Sequence, residues 1–186
     1  YMRSKAASIS NPKTEAQLDQ RARFGAALKF LQPLTSFLRV GFKNYAVKKT
    51  AFNSAMSYNL NNALAGAFPE YFIDYASALV SRGSLPGALN PQVQSTIPNQ
   101  IDFTWQDNSQ DSTATPNDRV LLVVLNPAKQ KAISIIGGNE RSVGQQSIEV
   151  PSTFVGDEIH CYIAFQNLNQ SVLSDSVYVG SVGLVD

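Results

Sequence analysis

Val120-Leu121-Leu122-Val123-Val124-Leu125 is apolar at every position. A strand with one face in water alternates apolar and polar residues, whereas a strand covered on both faces does not, so this run predicts a central, doubly buried β-strand. Upstream, Ile101-Asp102-Phe103-Thr104-Trp105 alternates with the period of a half-buried strand. Ile73 to Val80, Ala132 to Ile136, Ser147 to Val150, Ile159 to Phe165 and Ser176 to Val182 complete a set of seven short β-branched and aromatic segments. Pro116-Asn117-Asp118, Asn126-Pro127, Gly137-Gly138-Asn139 and Asn167-Leu168-Asn169 supply turns between them. Seven such strands predict an antiparallel β-sandwich of immunoglobulin or fibronectin-like type, with a barrel as runner-up. The stretch 83–98, rich in Pro, Gly, Ser and Asn, reads as an extended connection.

Ahead of these segments the hydrophobic period is that of a helix. Thr14 with Gln17 three residues later fits a capping box, and Glu15 suits the positive end of a helix dipole. Leu18, Ala22 and Gly25 form one row and Phe24, Leu28 and Leu31 the next, flanked by Arg21, Arg23 and Lys29. Pro33 should interrupt this helix, and a short piece carrying Leu34, Phe37 and Leu38 should stop at Gly41. Val47, Ala51 and Ala55 predict a third helix reaching about Leu64. The fold class expected is therefore α+β: a helical region over 1–69, then a seven-stranded sandwich over 70–186.

Charge divides at the same place. Residues 1–69 hold ten basic and two acidic side chains, a balance of +8; residues 70–186 hold five basic and twelve acidic, a balance of −7. Opposite poles attract complementary surfaces over about a Debye length of ~8–10 Å, within one molecule or between molecules. With 44% apolar and 16% charged residues the chain has a globular composition and a surface short of charge, which excludes wholesale disorder. No apolar run approaches the ~18 residues of a spanning helix. One cysteine fits either the cytosol or a disulfide-free exported protein.

One histidine and one cysteine leave little room for metal or nucleophile chemistry. His160 and Cys161 are neighbours on one expected strand, so they point to opposite faces. Cys161, in phase with Ile159, Ile163 and Phe165, reads as a core residue. Asp107, Asn108, Asp111, Asn117 and Asp118 offer hard oxygen ligands before the central strand, but their spacing matches no calcium loop and solvated turns explain them. Gly137-Gly138 lacks the Lys-Ser/Thr of a phosphate loop. Phe24, Phe30, Phe37 and Tyr45 among the basic residues sit at helical core spacing, which argues against nucleic acid as a partner. No catalytic residue, cofactor or metal is expected.

Met2-Arg3-Ser4-Lys5, Asn11-Pro12-Lys13-Thr14 with Gln20-Arg21-Ala22-Arg23-Phe24, Ala51-Phe52-Asn53 through Leu60, and Ile73-Asp74-Tyr75 together resemble blocks of a large domain-of-unknown-function family of Bacteroidota. Ser81-Arg82-Gly83 with Leu85-Pro86-Gly87-Ala88, Phe103-Thr104-Trp105 with Asp107-Asn108-Ser109, and Ser176-Val177-Tyr178-Val179-Gly180 extend the likeness over nearly the whole chain. That family has no assigned enzyme activity, so the resemblance carries over no catalytic residue. Members usually open with a further Gly-rich segment, whereas this chain opens at Tyr1. A weaker likeness, confined to the first helix, is to the start of small tailed-phage proteins.

The expectation is a non-enzymatic structural protein, extracellular or on the cell surface with the cytoplasm as the other possibility. It would form a homo-oligomer by head-to-tail contact of its basic helical part, through Arg21, Arg23, Phe24, Leu28 and Leu31, with the acidic sandwich, as rings or filaments according to whether the contact closes. Its rivals are a glycan- or ligand-binding sandwich presenting Trp105, Tyr162 or Tyr178, and a phage-derived virion component.

Overall fold

The computed structural model describes residues 13–185, so the Met2–Lys5 and Asn11-Pro12 blocks lie outside the described residues. Helix α1 spans Glu15–Leu31 and α2 Thr35–Gly41, joined by a single 3-10 turn, Gln32–Leu34, in which Pro33 interrupts the α-helical ladder. Thr14 takes the N-cap position of α1, but the capping box does not close through its side chain. That helix end is exposed, where water can satisfy the unpaired N–H groups.

Helix α3 is Ala51–Asn62, shorter than the expected span. Lys48 has φ +56, a left-handed conformation no helix can run through, and Val47 is left exposed. Thr50 then restarts the helix, its hydroxyl accepting from the Asn53 N–H at 3.1 Å.

A hairpin that the sequence reading did not anticipate follows: β1, Leu64–Ala67, pairs with β2, Glu70–Ile73, around a cis Phe68–Pro69 peptide. The strand expected over Ile73 to Val80 is absent beyond Ile73. The Asp74 carboxylate accepts from the Ala76 N–H and the Ser77 hydroxyl, which turns the chain instead. Its place in the sandwich is taken by β3, Leu89–Gln94, inside the stretch expected to be a connection. Pro91 misled that expectation: it sits at a register shift on an edge strand, one of the few sheet positions open to proline.

The remaining strands are β4 (Gln100–Gln106), β5 (Arg119–Asn126), β6 (Lys131–Glu140), β7 (Gln145–Glu149), β8 (Ile159–Gln166) and β9 (Val177–Val182). They form two antiparallel sheets, β3-β4-β7 and β6-β5-β8-β9. The strands make two separate ladders, a three-on-four sandwich of the fibronectin-like class and not the runner-up barrel. Strand β6 runs through Gly137-Gly138-Asn139, which is therefore no turn; Gly137, at φ +74, lies near a shift in the β5–β6 register.

Two cores meet across the four-stranded sheet. Val120, Leu122 and Val124 of β5, with Ile159, Cys161, Ile163 and Phe165 of β8, face β3-β4-β7 and pack on Ile101, Phe103 and Trp105. Leu121, Val123 and Leu125, with Tyr162 and Ala164, face the other way onto Phe30, Leu31, Leu34, Phe37, Leu38 and Phe42 of the helical region. The doubly buried strand is thus what places three layers in order: helices, four strands, three strands. A belt over 78–85 threads the junction of helices and sandwich. The Ser81 hydroxyl donates to the Ser174 carbonyl at 2.9 Å, and the Ser176 hydroxyl accepts from the Val80 N–H. A Cβ on Gly83 would fall on the Leu173 carbonyl oxygen, so the belt passes only with glycine there.

Candidate functional site

The only thiol is not a nucleophile. Cys161 is fully buried between the sheets, and burial pushes its thiol up to about 12. His160 points away from Cys161 but not into water. Its ring stacks on Tyr75 at 3.7 Å between centroids, and Nδ1 lies 2.8 Å from the Tyr178 hydroxyl. Burial lowers its pKa, and the charge of Glu158 opposes this only in part. His160 and Cys161 therefore sit in different cores, too far apart in orientation to act on each other.

The acidic loop before β5 holds a cation, but the cation is a side chain. Arg141, in a 3-10 turn after β6, is fully buried, and its Nε donates to Asp118 Oδ2 at 3.1 Å. Nη1 donates to Asn108 Oδ1 at 2.7 Å and to the Gly87 carbonyl at 3.1 Å, and Nη2 to the Pro86 carbonyl at 2.9 Å. The guanidinium lies 3.8 Å over the Phe165 ring. Burial pulls its pKa below the ordinary value, against the pull of Asp118. Asp118 also accepts from the N–H and hydroxyl of Thr115, and Trp105 Nε1 donates to the Arg141 carbonyl at 2.7 Å. Two of the oxygen groups considered as calcium ligands, Asn108 and Asp118, are thereby committed to Arg141. Sequence reading missed Arg141. The signal was the imbalance itself, four aspartates over 102–118 with no basic residue before Arg119.

Trp105 is 5% exposed and Tyr162 1%, so neither offers a ring to a glycan. The Tyr162 hydroxyl is also used, donating to the Tyr75 carbonyl at 2.8 Å. Among the aromatics placed near basic residues, Phe30 and Phe37 are core and Tyr45 lies under Arg82, with the guanidinium 4.3 Å from the ring.

The five residues expected to form an association surface are divided by the structure. Leu31 is 0% exposed and belongs to the core, and Leu28 is half-buried beside it. Phe24 is 46% exposed and Leu18 38%; the N-terminal half of α1 buries no side chain, although Asp19 on its flank accepts from the Tyr71 hydroxyl of β2. The buried residues of α1 are Ala27, Phe30 and Leu31, and of the predicted stripe only Leu31 is among them. Arg21 shares the exposed surface with Phe24, Gln17, Gln20 and Gly25. Arg23 is held on the flank by Asp19 at 3.0 Å and lies 5.1 Å from the Tyr71 ring centroid. Behind Phe24 a groove of about 430 Å³ opens between α1 and α3, floored by Met56, Leu60 and Leu64.

A family described as of unknown function (DUF6266) matches residues 1–180. The chain belongs to that family. The DUF6266 match spans the helical region and strands of both sheets of the sandwich. No curated protein matches the chain. Among solved structures, the fn3 domain of the human collagen alpha-1(XX) chain is similar at 12% identity and a TM-score of 0.39, over 57% of this chain and 93% of that domain. No helix among the described residues is long and apolar enough to cross a membrane.

Proposed function

We propose that this protein is a non-enzymatic structural module that self-associates through its helical layer. The observation that carries the reading is the N-terminal half of α1. It presents Phe24 and Leu18 to solvent beside Arg21 and above the α1–α3 groove floored by Met56, Leu60 and Leu64, so that apolar surface and a basic side chain adjoin there. The residues with the best chemical credentials support the same reading, since Cys161, His160 and Arg141 are all occupied in packing. Exposed ion pairs contribute only ~0–1 kcal/mol each, so the basic residues steer approach while apolar surface supplies affinity.

Sedimentation and light scattering at tens of micromolar, at low and at high ionic strength, test this. Association should slow in raised salt and persist at equilibrium, and Phe24→Asp should abolish it without lowering the melting temperature by more than a few degrees. A wild-type chain that stays monomeric at low salt would sink the proposal.

A further inference from the structure

Charge in this molecule is sorted by layer. The helical segment 13–62 carries eight Lys or Arg against Glu15 and Asp19, and it forms one outer layer. The other outer layer is the β3-β4-β7 sheet, whose strands come wholly from residues 83–118 and 142–186, and neither stretch contains a Lys or Arg. Because Ile101, Phe103 and Trp105 point into the core, Gln100, Asp102 and Thr104 point outward. The register sets them beside Glu149, Ser147 and Gln145 of β7. Asp102 is held in place, its Oδ1 accepting from Gln100 Nε2 at 2.7 Å and from the Ser147 hydroxyl at 2.6 Å. The result is a face of amides and hydroxyls with two carboxylates and no cation, hollowed by a shallow polar groove of about 450 Å³, and Leu89 at the start of β3 and Ile97 just after it are its exposed apolar side chains.

We infer that this outer face of the three-stranded sheet is the surface on which the α1 patch of a second copy docks. The inference rests on the self-association reading and adds its geometry. Pairing two helical layers with each other would bring together two surfaces rich in Lys and Arg, Arg21 and Arg23 among them, with only Glu15 and Asp19 to offset them, a like-charge juxtaposition that opposes the contact. Pairing α1 with the sheet face sets the same arginines against Asp102, Glu149 and glutamine carbonyls. The two surfaces lie on opposite outer layers, so a copy engaged through one keeps the other open. Such a contact is heterologous and propagates from copy to copy.

Two variants test it, each disabling one surface. Phe24→Asp removes the α1 patch. Gln145→Lys/Glu149→Lys reverses the charge of the sheet face at two outward positions whose side chains hold no part of the core. Each variant's fold is checked by its circular dichroism and melting temperature. Each alone should associate at least about tenfold more weakly than wild type, and an equimolar mixture should form a 1:1 dimer and nothing larger, because each partner contributes the surface the other lacks. If the Gln145→Lys/Glu149→Lys chain assembles like wild type, the docking surface is wrong while self-association stands. If wild type itself remains monomeric, both readings fail. Should Gln145→Lys/Glu149→Lys lose its fold, Asp102→Asn, which removes one charge and keeps the shape, must still weaken association; an unchanged constant overturns the inference.

Discussion

Arg141 shows how a charged residue can become part of a core. Taking a guanidinium out of water costs several kcal/mol unless a carboxylate and carbonyls replace the lost hydration, and here Asp118, Asn108, Gly87 and Pro86 do so. In return the side chain ties the 85–88 segment, the loop before β5 and the end of β6 to one point. Arg141→Met should therefore destabilise by about 3–5 kcal/mol in urea unfolding, since Asp118 is left buried and unpaired. Adding Asp118→Asn should recover part of that loss, and the lack of any recovery would mean that packing on Phe165 matters more than the charge. His160 provides a second test through pH. Its folded pKa lies below the unfolded value of about 6.5 because it is buried. The unfolded chain consequently takes up a proton first as pH falls, and stability declines from about pH 6.5 down to the folded pKa. His160→Gln should flatten urea midpoints between pH 7 and 5.5, even if it lowers them throughout by losing the stack on Tyr75. Equal pH slopes in the two proteins would assign the acid sensitivity to other groups.

Helix α1 separates packing from surface within seventeen residues. Leu31→Ala should cost about 2–5 kcal/mol, as a fully buried leucine does, whereas Phe24→Ala should change stability by under about 1 kcal/mol. Thermal melts of the two variants check the assignment, and a large loss at Phe24 would mean that it is buried in solution. This contrast also marks what the sequence could convey. Strands β5 and β8 were legible because their apolar pattern registers burial directly, and so was the phase of Cys161 with Ile159, Ile163 and Phe165. The stripe on α1 was legible only as a period. Which part of the helix is covered depends on the elements that pack against it, and no residue of α1 records that, so Phe24 and Leu31 looked alike. Strand β3 was hidden for a different reason: its pairing partner β4, not its own composition with Pro91, makes it a strand. Arg141 was hidden because a lone basic residue has the same appearance whether it is solvated or enclosed; only the three segments that converge on it distinguish the cases.

At the scale of the molecule, the outward face of the four-stranded sheet decides whether the helices are an appendage or a layer. Leu121, Val123, Leu125, Tyr162 and Ala164 are at most 1% exposed, and they are covered by the helical region. Removing that region uncovers the centre of the sheet as a contiguous apolar patch of the kind that soluble monomers rarely leave open. The belt over 78–85 adds to the dependence, because Ser81 and Ser176 bond across the junction and Arg82 N–H donates to the Gly41 carbonyl at the end of α2. Helices and sandwich should accordingly unfold together. Calorimetry of the complete chain should give one transition whose van't Hoff and calorimetric enthalpies agree. A fragment over 83–186, which keeps every strand of both sheets, should bind a hydrophobic dye and aggregate at micromolar concentration. Its own far-ultraviolet circular dichroism should still report β-structure, because the inter-sheet core around Ile101, Phe103, Leu122 and Ile163 is complete without the helices. A fragment that stays monomeric, excludes the dye and melts where the full chain does would show that the helical layer rests on the sheet without holding it, and the shared core would then contribute little to the stability of the fold.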